Sequence, residues 1–392
     1  MATTSSGGAW WSRLALLAAL LTGFPAAAER VVDDRPFRAL DGPLVSGAHI
    51  TIEPLSLDDG TAVALELTRM EPFTEDAQIV VHGPNGESRA PLPSDRWFTG
   101  RVSDDPESFV MLARGRSLRG FIVTRGRVTT IGPERNVYGD GPHGRTLISS
   151  FDPVVDTPPE MRWFTCGTES LPVPPEIPAP APTGRRALTS VMYYAGIAIE
   201  TDYELYTKKG SSVTAVAQYA GDLFAAISAI YQRDILVTLQ VNYLSVWTTA
   251  SDPWTATDSS AALSEFVSYW NTNRTAVPRS LAHMLSGRGL GGGIAYLNAV
   301  CSSYGYAVSG NLSGTAPANI TTTYWDFMCA SHESGHNFGS PHTHCYSPPV
   351  DQCYASEPGC YSGATSVPAV LGTIMSYCHL KSGGYSNVKM FL

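Results

Sequence analysis

The spacing of apolar side chains changes period along the chain and divides it into stretches of different kinds. Residues 14–24 form an apolar run, too short to span a bilayer. Residues 48–57, 62–70 and 77–82 alternate apolar with polar positions, the period of a half-buried strand, and Pro84-Asn85-Gly86 supplies a turn. Residues 108–133 read as a β-meander broken at Gly115, Gly120 and Gly126. From 153 to 184 proline dominates (Pro158, Pro159, Pro172, Pro174, Pro175, Pro178, Pro180, Pro182), which forbids ladder and helix and predicts an extended connector. Beyond Leu188 the period alternates. Strands are expected over 189–199, 235–246, 280–286 and 293–299, with helices over 212–231, 258–272 and 323–338. The expected organisation is a β-rich domain at 29–152, a connector at 153–186 and an α/β domain at 187–392.

Length and charge narrow the class. With 392 residues, 43% hydrophobic and 16% charged, the chain has the composition of a soluble globular protein with room for two cores. Its net charge of −9 argues against nucleic acid or an anionic membrane as the main partner. Arg13, the apolar run and Ala26-Ala27-Ala28 together have the layout of an export signal over residues 1–28, cleaved before Glu29; an uncleaved anchor is the alternative. The mature chain is expected outside the cytoplasm, extracellular or periplasmic, with no membrane anchor. Six of the seven cysteines (Cys301, Cys329, Cys345, Cys353, Cys360, Cys378) are expected to form three disulfides in that compartment, and spacing does not choose the pairing. Cys166 stands alone upstream.

The densest chemistry lies at 332–342, His-Glu-Ser-Gly-His-Asn-Phe-Gly-Ser-Pro-His. On a helix, His332 and His336 project from one face, a turn apart. Glu333 lies beside the first of them, placed to act on a metal-bound water without binding the metal. Gly339 permits backbone angles that let the chain leave the helix and return His342 as third ligand. His344 is a rival for that place, but the glycine-to-histidine spacing favours His342. Three protein ligands leave one position open, the arrangement of a catalytic rather than structural Zn²⁺ site. The glycines at 291–293 have neither Walker lysine nor Rossmann spacing, so nucleotide binding is not expected, and no Gly-x-Ser-x-Gly elbow is present.

Downstream stands Gly372-Thr-Ile-Met-Ser-Tyr-Cys378, and with the histidine motif it resembles the metzincin zinc metalloproteases, reprolysin-like in type. The resemblance implies a catalytic domain with a mixed five-stranded sheet, a long helix carrying the first two ligands and a disulfide-rich lower lobe after Gly339. It implies that Met375 forms an apolar floor beneath the metal, a role its pliant thioether suits. Tyr377 has the spacing seen in the astacin and serralysin branches, where it would donate to the oxyanion; the alternative is a packed tyrosine. Gly293, Ile294, Ala295 and Tyr296 correspond to the edge strand along which a peptide lies. Phe98–Leu112 and Leu118–Ile122 resemble reprolysin prodomains. Cys166-Gly167 resembles the inhibitory switch that fills the open metal position with a thiolate, against the reading of a free or intermolecularly bonded cysteine. Arg185-Arg186 is a maturation site or a solvated charge pair. The implied function is a secreted zinc-dependent endopeptidase, made as a latent zymogen with its prodomain as intramolecular inhibitor and acting on protein or peptide substrates. Two departures stand out: Thr343 occupies a position where reprolysins carry Asp, and the chain ends at Leu392 without the expected C-terminal helix. A catalytically idle relative would lack a ligand or the base, and neither is missing here.

Overall fold

The computed structural model describes residues 30–133, 146–151, 166–172, 191–314, 320–390 and 392. The expected signal at 1–28, most of the expected connector and Arg185-Arg186 lie outside the described residues. The N-terminal region contributes ten strands: β1 (Arg30–Val31), β2 (His49–Ser56), β3 (Ala62–Met70), β4 (Phe73–Gly83), β5 (Gly86–Ala90), β6 (Arg96–Val102), β7 (Asp105–Arg114), β8 (Leu118–Thr124), β9 (Arg127–Pro133) and β10 (Thr146–Phe151). Eight of them form an antiparallel sheet in the order β1-β10-β9-β8-β7-β6-β3-β2. Both of its faces are apolar. Val110 and Leu112 of β7 join Phe37, Leu65, Phe98 and Ile131 in one core, while Phe109, Met111 and Ala113 point the other way into a second. A strand buried on both sides reads as a continuous apolar run, as Phe109–Ala113 does.

The C-terminal region holds β11 (Tyr193–Thr201), β12 (Val237–Trp247), β13 (Leu281–Leu285), β14 (Gly293–Ala295) and β15 (Tyr306–Ser309), with helices α1 (Tyr203–Lys208), α2 (Val213–Ile235), α3 (Ser259–Asn273) and α4 (Ile320–Asn337). Caps set the starts of the first three helices. Asp202, Ser212 and Asp258 accept from the backbone N–H groups of Leu205, Ala215 and Ala261. The α/β architecture expected from the apolar period is observed, but the sheet is larger than five strands. Its order is β14-β15-β13-β11-β12-β4-β5, because the hairpin β4–β5 leaves the N-terminal region and pairs in parallel with β12. Five of its seven strands lie between residues 193 and 309, and β14 alone among those five pairs antiparallel.

The sheet and α2 bind the two regions into one body. Helix α2 has the length and apolar content of a membrane-crossing helix, yet it is a core helix. One side packs on β12 and the other on β6 and β7 of the N-terminal sheet, so Phe73, Trp97, Met111 and Phe121 share a core with Leu223, Phe224 and Phe327. Polar groups cross the same boundary. Arg119 of β8 donates to both oxygens of Asp222 on α2 (2.6 and 2.8 Å) and to Asp95 (2.6 Å), and the Trp97 indole also donates to Asp222 (2.8 Å). All four side chains are buried. Two disulfides are present, Cys345–Cys360 and Cys353–Cys378, rather than the three expected. Cys329 lies in the core within α4 and Cys301 at an exposed turn, so these two do not meet.

Candidate metal centre

Helix α4 presents His332 and His336 on one face, with their Nε2 atoms 3.1 Å apart. Two residues past the end of α4 stands Gly339, whose φ of 95° is open to glycine and whose N–H donates to the His336 carbonyl (2.9 Å). The chain then doubles back. The His342 ring arrives 4.7 Å from that of His336 and 5.3 Å from that of His332, centroid to centroid. Cys166 Sγ joins them, and one donor atom from each of the four residues falls within 4.8 Å of every other. All four side chains are buried.

Each imidazole is held by its other nitrogen. His332 Nδ1 donates to the Ile374 carbonyl (2.8 Å), His336 Nδ1 to the Ser340 carbonyl (2.8 Å), and His342 Nδ1 to Glu357 Oε2 (2.7 Å). With the proton on Nδ1, each Nε2 keeps a lone pair facing the common centre. His342 Nε2 is buried without a hydrogen-bond partner. Burial also holds His332 and His336 well below the ordinary imidazole range, with neighbouring rings adding to the effect, and drives the Glu333 carboxyl and Cys166 thiol well above theirs. An orphaned lone pair and a dry set of three imidazoles, a thiol and a carboxyl fit a soft or borderline dication, whose charge would reverse the penalty on the anionic forms.

The neighbouring residues follow from close packing around these groups. Glu333 Oε2 lies 3.3 Å from Cys166 Sγ, and its Oε1 is buried without a partner. Gly293 of β14 abuts that carboxyl: a Cβ there would stand 2.4 Å from Oε1. Met375 is fully buried, with its sulfur so near Gly335 of α4 that a Cβ on the glycine would lie 2.4 Å away. Thr343, in place of the family's Asp, donates through its hydroxyl to Asp351 and through its N–H to the Met375 carbonyl (3.2 Å). The Tyr377 ring lies 4.4 Å from that of His342, and its hydroxyl accepts from Cys166 N–H (2.7 Å) and donates to Cys166 O (3.2 Å).

The outer side of β14 is already engaged. Gly167 N–H donates to Gly293 O (3.3 Å), and the Thr168 hydroxyl donates to Ala295 O (2.9 Å) and accepts from Ala295 N–H (3.2 Å). Ile294 faces the core under α3. Tyr296 lies one residue past the strand, where its carbonyl accepts from Asn337 at the end of α4 (2.8 Å). The recess left beside the histidines holds only about 110 Å³, walled by Thr168, Glu169, Leu171 and Pro172.

His344 is not turned toward the centre; its Nε2 donates to the same Glu357 oxygen that serves His342 (2.9 Å). Burial alone would raise the Glu357 carboxyl, but hydrogen bonds from both histidines bring it down to about 2. Glu357, Gly335, Asp351 and Thr168 escaped the sequence reading. Gly335 carried a local signal, since it sits inside the motif; Glu357 lies in an irregular loop and carried none.

Residues 193–391 match the model of metallopeptidase family M12, in its reprolysin type. This chain belongs to metallopeptidase family M12. It is accordingly a metalloendopeptidase, and its histidine motif and methionine turn fall within the matched half. Among solved structures, the crystal structure of metalloproteinase-II from Bacteroides fragilis is similar at 12% identity, covering 80% of this chain and 86% of that one, with a TM-score of 0.40. A structure titled as a chaperone-substrate complex is similar at 15% identity over 38% of this chain, with a TM-score of 0.30. The chain spans 24% of the length of the latter.

Proposed function

We propose that this M12 peptidase is an exported zinc endopeptidase held latent by its own N-terminal region, acting on protein or peptide substrates. The observation that carries the reading is the convergence of three buried Nε2 atoms and the Cys166 sulfur on one point. His332, His336 and His342 would hold the zinc. When bound, the ion supplies a Lewis acid that polarises the scissile carbonyl and makes water acidic near neutral pH. Glu333, one residue from the first ligand, takes the proton of the attacking water and delivers it to the leaving amine. Tyr377, freed of Cys166, donates a hydrogen bond to the developing oxyanion and keeps its proton. The peptide is positioned along β14, where Gly293 and Ala295 offer backbone groups to an added strand.

Latency follows from what Cys166–Thr168 occupies. The thiol takes the centre and the Glu333 carboxylate, the Cys166 backbone takes the Tyr377 hydroxyl, and Gly167 and Thr168 take the edge strand. A substrate cannot enter until this segment leaves. Export would suit the two disulfides and the run at 14–24, and the absence of an anchor from the mature form is part of the same reading.

Casein or a fluorogenic peptide library tests the proposal. Cleavage by the matured protein should stop on chelation and return with zinc. Glu333→Gln should keep its metal while turnover falls by about 10²–10⁴-fold. Cys166→Ala should give activity in the uncleaved chain. Unimpaired cleavage by Glu333→Gln would remove the assigned base, and full latency in Cys166→Ala would remove the switch.

A further inference from the structure

The three histidines are anchored unequally. His332 and His336 give their Nδ1 protons to backbone carbonyls of Ile374 and Ser340, whereas His342 gives its proton to a side-chain carboxylate, Glu357. His342 also lies outside the helix, on an irregular stretch where no helical repeat fixes its ring. We propose that Glu357 is a positioning residue: it selects the His342 tautomer and aims its Nε2 at the metal, and His344 holds the carboxylate in place. The proposal rests on the zinc-peptidase reading and goes beyond it to a residue that touches neither metal nor substrate.

Three features of the loop support this. The buried His342 Nε2, without a partner, is the atom left over once Nδ1 is committed to the carboxylate. The His344 ring stacks on that of His342, 5.5 Å between centroids and 5° from parallel, and its Nε2 donates to the same Oε2 at 2.9 Å. Two donors on one oxygen fix it more tightly than one. Finally, Cys345 follows His344 directly and Cys360 lies three residues after Glu357, so the Cys345–Cys360 disulfide ties the strand of chain that carries the carboxylate to the one that carries both histidines. The side chains of His342, His344, Cys345 and Glu357 also gather closely enough to suggest a second cation site. The sulfur is spent in the disulfide and the carboxylate oxygen is saturated by two N–H donors, so the cluster is a hydrogen-bonded support.

A carboxylate on the far nitrogen raises the basicity of a ligand imidazole as well as orienting it, and loss of such partners weakens metal binding by about 10–100-fold. The test is zinc affinity of the full chain, measured by competition with a chelator, for wild type, Glu357→Gln and Glu357→Ala. The alanine variant should bind about 10–100-fold more weakly, and the glutamine, which keeps a neutral acceptor, should fall between. Cobalt substitution gives a second readout: the ligand-field bands should shift in both variants. If Glu357 served only the fold of the loop, the metal-free melting temperature would drop while zinc affinity and the cobalt spectrum of the folded protein stayed at wild-type values; that result overturns the inference. Should Glu357→Ala fail to fold, the isosteric Glu357→Gln decides alone. Zinc bound equally by wild type and variants would overturn the inference and spare the zinc reading. A wild-type chain that binds no zinc would overturn both.

Discussion

Glycines at this site mark where functional side chains need the room. At Gly335 the missing Cβ makes way for the Met375 sulfur, and at Gly293 for the Glu333 carboxylate. Gly335→Ala forces the methionine away from its place against α4; overpacking of this kind costs about 1–3 kcal/mol, read as a lower denaturant midpoint at unchanged slope. An unchanged midpoint would show that the methionine moves freely. His283 gives a second test. It is buried between the hydroxyls of Ser309 (2.8 Å) and Ser334 (3.2 Å), and burial brings it down to about 3 from an ordinary value of 6.5. The native ring stays neutral while the unfolded ring takes a proton, so its contribution to stability is complete above pH 6.5 and is lost as pH falls toward 3. His283→Gln keeps both hydrogen bonds without titrating. Its stability should fall less steeply between pH 6 and 4, by about 1.4 kcal/mol per pH unit at most. Equal slopes in the two proteins would contradict this.

Elements show why some of the structure was legible and some was not. The expected helices at 212–231, 258–272 and 323–338 are α2, α3 and α4 within a few residues, because apolar period and capping side chains are local signals. The gathering of His332, His336 and His342 was legible for the same reason: the motif lies within one helix and the turn after it, which fix their own geometry. Strand β4 was expected as a strand, but not in the second sheet. Its parallel partner β12 lies far along the chain, and no residue pattern in Phe73–Gly83 specifies which edge it will join. Glu357 and the two disulfides were hidden similarly, since a loop's position depends on a pairing that spacing leaves open. The crossing hairpin makes the N-terminal region part of the structure it is proposed to inhibit. Arg119→Met would strand Asp222 and Asp95 in the buried boundary; breaking such a pair costs about 3–5 kcal/mol, and adding Asp222→Leu should recover part of it. Equal unfolding midpoints for wild type and Arg119→Met would show the boundary to be less dry than described.

Across the whole molecule, the two regions meet through a shared sheet and a shared core, and the short segment Cys166–Thr168 lies in the candidate site. A cleft of about 1170 Å³ lies between them beside Arg69, Glu71, Tyr194 and Gln240, while the candidate metal centre is nearly filled. The fold thus keeps the histidines dry and the edge strand covered as long as Cys166–Thr168 stays in place. The proposed chemistry depends on those imidazoles holding one zinc ion, and the proposed latency on the thiol as its fourth donor. X-ray absorption at the zinc edge, on the full uncleaved chain, tests this directly. One zinc per chain with three nitrogens at about 2.0–2.1 Å and one sulfur at about 2.3 Å is the predicted result. A chain without zinc, or with zinc in a shell of oxygens and no imidazole, would contradict it.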